Sequence, residues 1–448
     1  MINTKTIRIA ITAVILTVIT ALYGIWLITE APSYWETLLF VTLLFLLYVV
    51  AVIRFVPHLM TYFASGREPH LERIGDRTFR RCGMREIVKV VFLIMAFRLL
   101  QMLLTYLIHL KLFGYTDTFF RIQRIWLNFY HAQYCFPAYP LLSNAFWFVS
   151  FNFNHARFLA SYLFTALGGA MLYYWVLCDH DRQTARRTVL YFFLMPAGCL
   201  LMGTLPDGLF IMFSLLSLMF ARKHRFIVAN FFAMLSVTTH ILGVLLFVPC
   251  LIEFLQQLSS DMRGHREEKR GYFLQQSISA VSFLLIPAGF MLVLIYSNTL
   301  YGSSTALFRN VMDEFGYQVS SPFHSVANLC DRFLMALHTR SGEILLYELG
   351  NTIPNLVYLL VGAVLLVVSV GKIRTSYIMY MFFVYAAVLC TGTVLEIPRL
   401  LSMCAPFVLV LPVAIKNKWI HLGLYTLIFA GFILYLIAVV GGFTIYGV

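Results

Sequence analysis

The chain has 448 residues, 60% of them hydrophobic, 16% aromatic and only 12% charged, with a mean hydropathy of +0.82. A soluble domain averages about 45–50% apolar and about 25% charged residues, so the composition excludes one and reads as an integral membrane protein. The formal net charge of +13 lies in short loops between apolar runs, which is membrane orientation chemistry, and no nucleic-acid role is read from it.

The first stretch, MINTKTIRIAITAVILTVITALYGIWLI, is long enough to span a bilayer and lacks a clear small-residue cleavage site, so it is expected to be a retained first helix. Apolar segments then predict an all-α polytopic bundle of about thirteen spans. They fall near 8–28, 36–56, 89–110, 157–177, 188–204, 207–220, 226–239, 241–256, 273–297, 353–371, 376–394, 400–415 and 420–441. The four between 188 and 256 are short, and 226–256 also reads as one long kinked element. Residues 1–60 form two additional N-terminal helices, 61–88 a basic loop, 89–415 a membrane core and 416–448 a C-terminal helix. The eight cysteines show no paired spacing and read as small hydrophobes; Cys135 and Cys330 fall on one face, where a disulfide is the alternative.

Charge sets the orientation. The loop 57–88, DRQTARR at 181–187, ARKHR at 221–225, RGHREEKR at 263–270, KIR at 372–374 and KNK at 416–418 all fall on one side with Lys5 and Arg8. The positive-inside rule makes that side cytoplasmic, with the N-terminus in and the C-terminus out. Two long loops, 111–156 and 298–352, and three short connections then share the outer face.

Those outer segments hold the polar residues of interest. In GYTDTFFRIQRIW, 114–126, Asp117, Arg121 and Arg124 share one face if the segment is an interfacial helix. Asp117 is either a helix-terminal acid paired with Arg121 or an ionisable site residue at a membrane edge. CFPAYPLL, 135–142, is a rigid proline–aromatic turn that would brace a pocket, with Tyr139 at the membrane interface. GTLPDGLF, 203–210, places Asp207 at a tight turn, as a helix cap or in a site with Asp117. VTTHILG, 237–243, offers His240 as a hydrogen-bonded structural residue or a ligand contact, and EIPRLL, 396–401, offers Arg399 as a snorkelling cation or a bidentate phosphate binder. There is no Walker loop, G-x-G-x-x-G, H-E-x-x-H or paired-cysteine zinc spacing, so no nucleotide site is read.

Taken in order, Asp117 after the first core helix, Phe136-Pro137-Ala138-Tyr139-Pro140, Asp207 at a Pro/Gly hairpin, His240 before Gly243, and Pro398-Arg399 before an apolar helix resemble the PIG-V-type mannosyltransferase family of the GT-C class. The resemblance covers roughly 89–415. It departs from the family at Thr116, where relatives carry Trp, and at His240, where they often carry Arg. It implies a GT-C-type bundle with interfacial helices in the first large outer loop; the compact loops and the lack of an ER-retention tail point to a bacterial relative in a plasma membrane. It also implies transfer of mannose or another hexose from a polyprenyl-phosphate donor to a glycan, glycolipid or protein acceptor at the outer membrane edge. Asp117 would be the catalytic base, and Arg121, Tyr139, Asp207, His240 and Arg399 would bind substrate. No cofactor is required by this reading; a divalent cation, Mg or Mn, would sit between Asp117 and Asp207 if one is used. Two rival readings are a transporter or flippase of lipid-linked sugars and a non-catalytic envelope scaffold.

Overall fold

The computed structural model describes residues 4–30, 32, 34–65, 84–113, 136–202, 205–264, 276–315, 318–339, 342–392 and 396–441. Asp117, Arg121, Arg124 and Cys135 lie outside them. The described residues are helical, with no strand among them. The helices are α1 (Thr4–Thr29), α2 (Trp35–Ser65), α3 (Met84–Phe113), α4 (Ala138–Asn144), α5 (Trp147–Ser150), α6 (Phe153–Leu177), α7 (Arg182–Leu194), α8 (Asp207–Arg222) and α9 (Phe226–Val237). They continue as α10 (Phe247–Gly264), α11 (Leu285–Tyr301), α12 (Ala306–Phe315), α13 (Pro322–Thr339), α14 (Gly342–Ser369), α15 (Thr375–Leu389), α16 (Ile397–Met403), α17 (Ala405–Ala414) and α18 (Lys418–Val440).

Among the described residues eight helices are long and apolar enough to cross a membrane, or nine if the pair α16–α17, bent by 76°, is one span. The bend falls at Cys404, between Pro398 near the start of α16 and Pro406 near the start of α17. Proline is tolerated in a first turn, whose N–H groups lack intrahelical partners anyway, so each proline starts a new helix. The expected thirteen spans therefore resolve into full-length helices and a set of shorter ones: α7, α8, α9 and α15 have 13, 16, 12 and 15 residues. α8 and α15 are mostly buried by their neighbours, and a helix inside a bundle need not match the bilayer thickness. The stretch 226–256 is not one kinked helix: α9 ends at Val237, a 3₁₀ turn covers Ile241–Leu246, and α10 follows.

Local chemistry sets several of these boundaries. Asn152 caps α6 by accepting from the N–H groups of Asn154 and His155, at 2.9 and 3.4 Å. Asp181 and Asn417 do the same for α7 and α18, satisfying donors that a helix start leaves open. α4 and α5 are short helices in the first large loop, and Phe148 and Val149 of α5 and Phe151 just after it are exposed.

Two features position the interior. First, α6 and α8 cross at backbone contact. A Cβ on Gly208 would lie 2.5 Å from the Thr165 Oγ1, and one on Gly168 would lie 2.9 Å from the Gly208 carbonyl oxygen. Small residues are what allow membrane helices this approach. Second, a buried ionic network ties one end of the bundle together. Arg222 Nε donates to Asp179 at 2.9 Å, Arg374 donates to both Glu253 oxygens at 3.0 and 2.9 Å, Ser376 donates to Glu253 at 2.6 Å, and Tyr377 donates to Asp179 at 3.2 Å. The basic stretches 181–187, 221–225 and 372–374 converge on this end, as the charge pattern predicts. Burial works against the Asp179 carboxylate, but the charges of Arg374 and Arg222 and the Arg222 hydrogen bond outweigh it and hold its pKa below the ordinary value.

Candidate functional site

The start of α8 lies about 22 Å from this network, at 1.5 Å per residue along the helix. There Asp207, Glu396 and Arg399 form a second buried cluster, each at 3% exposure or less. Arg399 donates from Nε and Nη2 to the two oxygens of Asp207, both at 2.8 Å, and from Nη1 to Glu396 at 2.6 Å. The fork geometry matches the bidentate pairing for which guanidinium is suited. Asp207 is not a cap: the residue before α8 is Pro206, no side chain caps that helix, and the carboxylate is committed to Arg399. Nor does Arg399 snorkel to headgroups.

The start of α16 is fixed by Asn355 of α14, whose Oδ1 accepts from the Ile397 N–H at 3.0 Å while its amide donates to the Asn351 carbonyl at 2.6 Å. Arg399 is thereby held at the first turn of α16, opposite the first turn of α8.

The other quoted motifs meet at the same place. The Ala138 N–H donates to the Thr238 carbonyl at 2.9 Å, joining the proline–aromatic turn to the residues before His240. The His240 ring lies between Phe210 of α8, at 5.5 Å, and Phe136, at 6.4 Å. Its Nδ1 accepts from the Leu242 N–H at 3.2 Å and caps the 3₁₀ turn. The proton of the neutral imidazole is then on Nε2, which is a donor. Gly243 is required by packing, since a Cβ there would lie 2.4 Å from the Val237 nitrogen.

Tyr139 is enclosed by protein. It is 1% exposed, and its hydroxyl donates to the Arg157 carbonyl at 3.0 Å. It braces α4 against α6, close to the start of that helix. The height of the cluster along the bundle follows from its helix contacts. Gly208 touches Thr165, about 18 Å along α6 from Phe153 at 1.5 Å per residue, near the middle of a 25-residue helix. Asn355 likewise sits midway along α14. The Asp207–Glu396–Arg399 cluster is therefore level with the middles of α6 and α14, because α8 and α16 begin there.

Chemically, the cluster carries two carboxylates and one guanidinium. Both Asp207 oxygens accept from Arg399, so a cation between Asp117 and Asp207 would have to displace that guanidinium. No group of three or more His, Cys, Asp or Glu is placed to hold a metal among the described residues. Cys330 is a buried thiol on α13, and its suggested partner Cys135 lies outside the described residues.

Three groups of residues escaped the motif reading. Glu396 stands three residues before Arg399 in EIPRLL and accepts from it. Asn355 lies in an apolar run with Glu348, Asn351 and Thr352, and Thr352 donates to Glu348 at 2.6 Å. The third group is on α3, where Arg98, Gln101, Thr105 and His109 are all buried. Arg98 donates to the Ser161 carbonyl at 3.0 Å and lies over the Tyr162 ring at 5.0 Å, and Gln101 donates to the Phe193 carbonyl at 3.3 Å. Their spacing of three, four and four residues puts them on one helix face. That periodicity was the available signal, since an ionisable residue inside a span points inward.

Comparison of the chain with family models, with curated proteins and with solved structures gives no match.

Proposed function

We propose that the chain is an integral-membrane glycosyltransferase that moves a hexose, mannose first among candidates, from a polyprenyl-phosphate donor to a glycan, glycolipid or protein acceptor. The observation that carries this reading is convergence. Phe136, Asp207, His240 and Arg399 come from four separated motifs, and in the fold they share one buried neighbourhood. The order of those motifs is that of the PIG-V-like pattern. The basic stretches 181–187, 221–225 and 372–374 gather at the far end of α8, and the positive-inside rule applied to them supports a neighbourhood toward the non-cytoplasmic side.

In this reaction Asp117 takes the proton of the acceptor hydroxyl as its oxygen attacks the anomeric carbon. The carbon–oxygen bond to phosphate breaks, the lipid phosphate leaves with the electron pair, and the configuration inverts. A positioned general base contributes about 10²–10⁴-fold. Arg399 is held by two carboxylates, so it reaches a leaving phosphate by exchanging one of them. Otherwise it positions the starts of α8 and α16. His240 or an arginine of 298–352 is the second group for the phosphate charge, and Arg121 binds substrate. Mg or Mn, where used, would supply charge neutralisation at Asp117.

The position of the Asp207–Glu396–Arg399 cluster, level with the middles of α6 and α14, favours one second reading, a transporter or flippase of lipid-linked sugars, whose sites lie near the midplane. One assay separates the two. Purified protein in lipid is given polyprenyl-phosphate mannose and other polyprenyl-phosphate sugars with a mixed acceptor extract, beside Asp117→Asn. Transfer or donor hydrolysis that disappears in the variant is expected. Donor translocation that is unchanged in Asp117→Asn, without turnover of any donor, would replace the transferase with the transporter.

A further inference from the structure

Away from this neighbourhood, a half-open crevice of about 410 Å³ runs between α1 and α2 on one side and α13 and α15 on the other. Its volume lies in the range of small-molecule sites, and its walls are aliphatic and aromatic, as such sites are. The rings of Trp26, Tyr48, Phe323 and Tyr385 line it. Beside it, Tyr23 stacks on Phe45 at 4.3 Å and meets Phe323 edge-on at 5.3 Å. α1 and α2 are both candidate membrane spans, so what surrounds the open side is bilayer.

The crevice is apolar along its length and polar at one end, where Thr29, Glu30 and Ser321 line it. That end is opposite the ionic network of Asp179 and Arg374, because His58, near the far end of α2, meets Thr375 at 3.2 Å. Glu30 approaches His324 at 2.7 Å, yet its side chain is still 47% exposed. Glu36 begins α2, and Asp331 of α13 accepts from Thr37 at 2.5 Å, so this corner carries three carboxylates. Arg332 on α13 lies 3.6 Å from Glu348.

We propose that the crevice seats one acyl chain of a bilayer phospholipid whose headgroup bears an amine, with the ammonium at Glu30. A phosphate-headed lipid without an amine would set its charge against Glu30, Glu36 and Asp331, whereas an ammonium complements them. A partner helix is a poor fit, since one turn of a helix 10 Å across already occupies roughly 400 Å³. A flexible chain fills the same volume along its length. The site is independent of the transferase reading.

The test is lipid retention. The full chain is purified from nanodiscs holding equal amounts of phosphatidylethanolamine, phosphatidylglycerol and a polyprenyl phosphate, and retained lipid is counted by native mass spectrometry. Retention of phosphatidylethanolamine over both others is expected. Ala386→Trp, which fills the crevice from α15, should lower it about tenfold, corresponding to about 1.4 kcal/mol. Leu22→Trp on the lipid-exposed side of α1 repeats the test should the first variant unfold. Glu30→Gln should keep the chain seated and erase the headgroup preference. No retained lipid, equal retention after either tryptophan substitution, or a preference for phosphatidylglycerol or the polyprenyl phosphate would each overturn the proposal.

Discussion

Arg399 and Asp207, 192 residues apart in the chain, share two parallel hydrogen bonds of 2.8 Å with almost no exposure to solvent or lipid. The pair joins the first turns of α8 and α16, and Glu396 holds the third guanidinium position. Removing one partner of a buried pair leaves an uncompensated charge, which costs about 3–5 kcal/mol. Arg399→Met should therefore lower the thermal unfolding midpoint sharply. The double substitution Asp207→Asn with Arg399→Met should recover part of the loss. A single variant as stable as wild type would show that the pair does not hold these helices together.

Gly208→Ala tests the crossing of α6 and α8. The added Cβ meets backbone and side-chain atoms of Thr165 at 2.5–2.7 Å, so the helices must separate, at about 1–3 kcal/mol. Gly24→Ala on α1 meets nothing within 4 Å and should be neutral or slightly stabilising, because alanine is the better helix former. Denaturation of the two variants side by side gives the comparison.

The Asp179 network predicts an acid limb. Its folded-state pKa lies below the ordinary carboxylate value of 3.8. Its contribution is thus fully present above that value and is lost as pH falls through the lower folded value. Wild-type stability should drop on acidification below about 4, and Asp179→Asn should be less stable at neutral pH with a flatter acid limb. Parallel slopes in the two proteins would assign the acid sensitivity to other groups.

His240 separates a cap from a chemical role. His240→Ala removes the acceptor for the Leu242 N–H and should cost about 1 kcal/mol, whereas His240→Asn keeps a capping oxygen and should cost less. Under the proposed transferase reading, full turnover in the asparagine variant would limit His240 to structure. Turnover lost in both, with stability kept in the asparagine variant, would place its Nε2–H against substrate.

Membrane character, helical class and the grouping of basic loops at one end were legible in the chain, because each follows from local composition. Twenty apolar residues must form a helix in lipid wherever they occur, and Lys and Arg mark loop sides one at a time. Some motif positions were legible too: Pro398 does open a helix, and Arg399 follows it. What such residues meet was decided by the tertiary structure. Whether Arg399 snorkels or pairs depends on Asp207, brought to it from far along the chain through a glycine contact between α6 and α8. Whether Tyr139 faces lipid depends on α6 covering it. The height of the cluster along the bundle depends on α8 and α16 being short and enclosed, and lengths of apolar runs alone do not reveal which helices are enclosed. A side chain's type limits the bonds it can make; only packing decides which partner is within 3 Å.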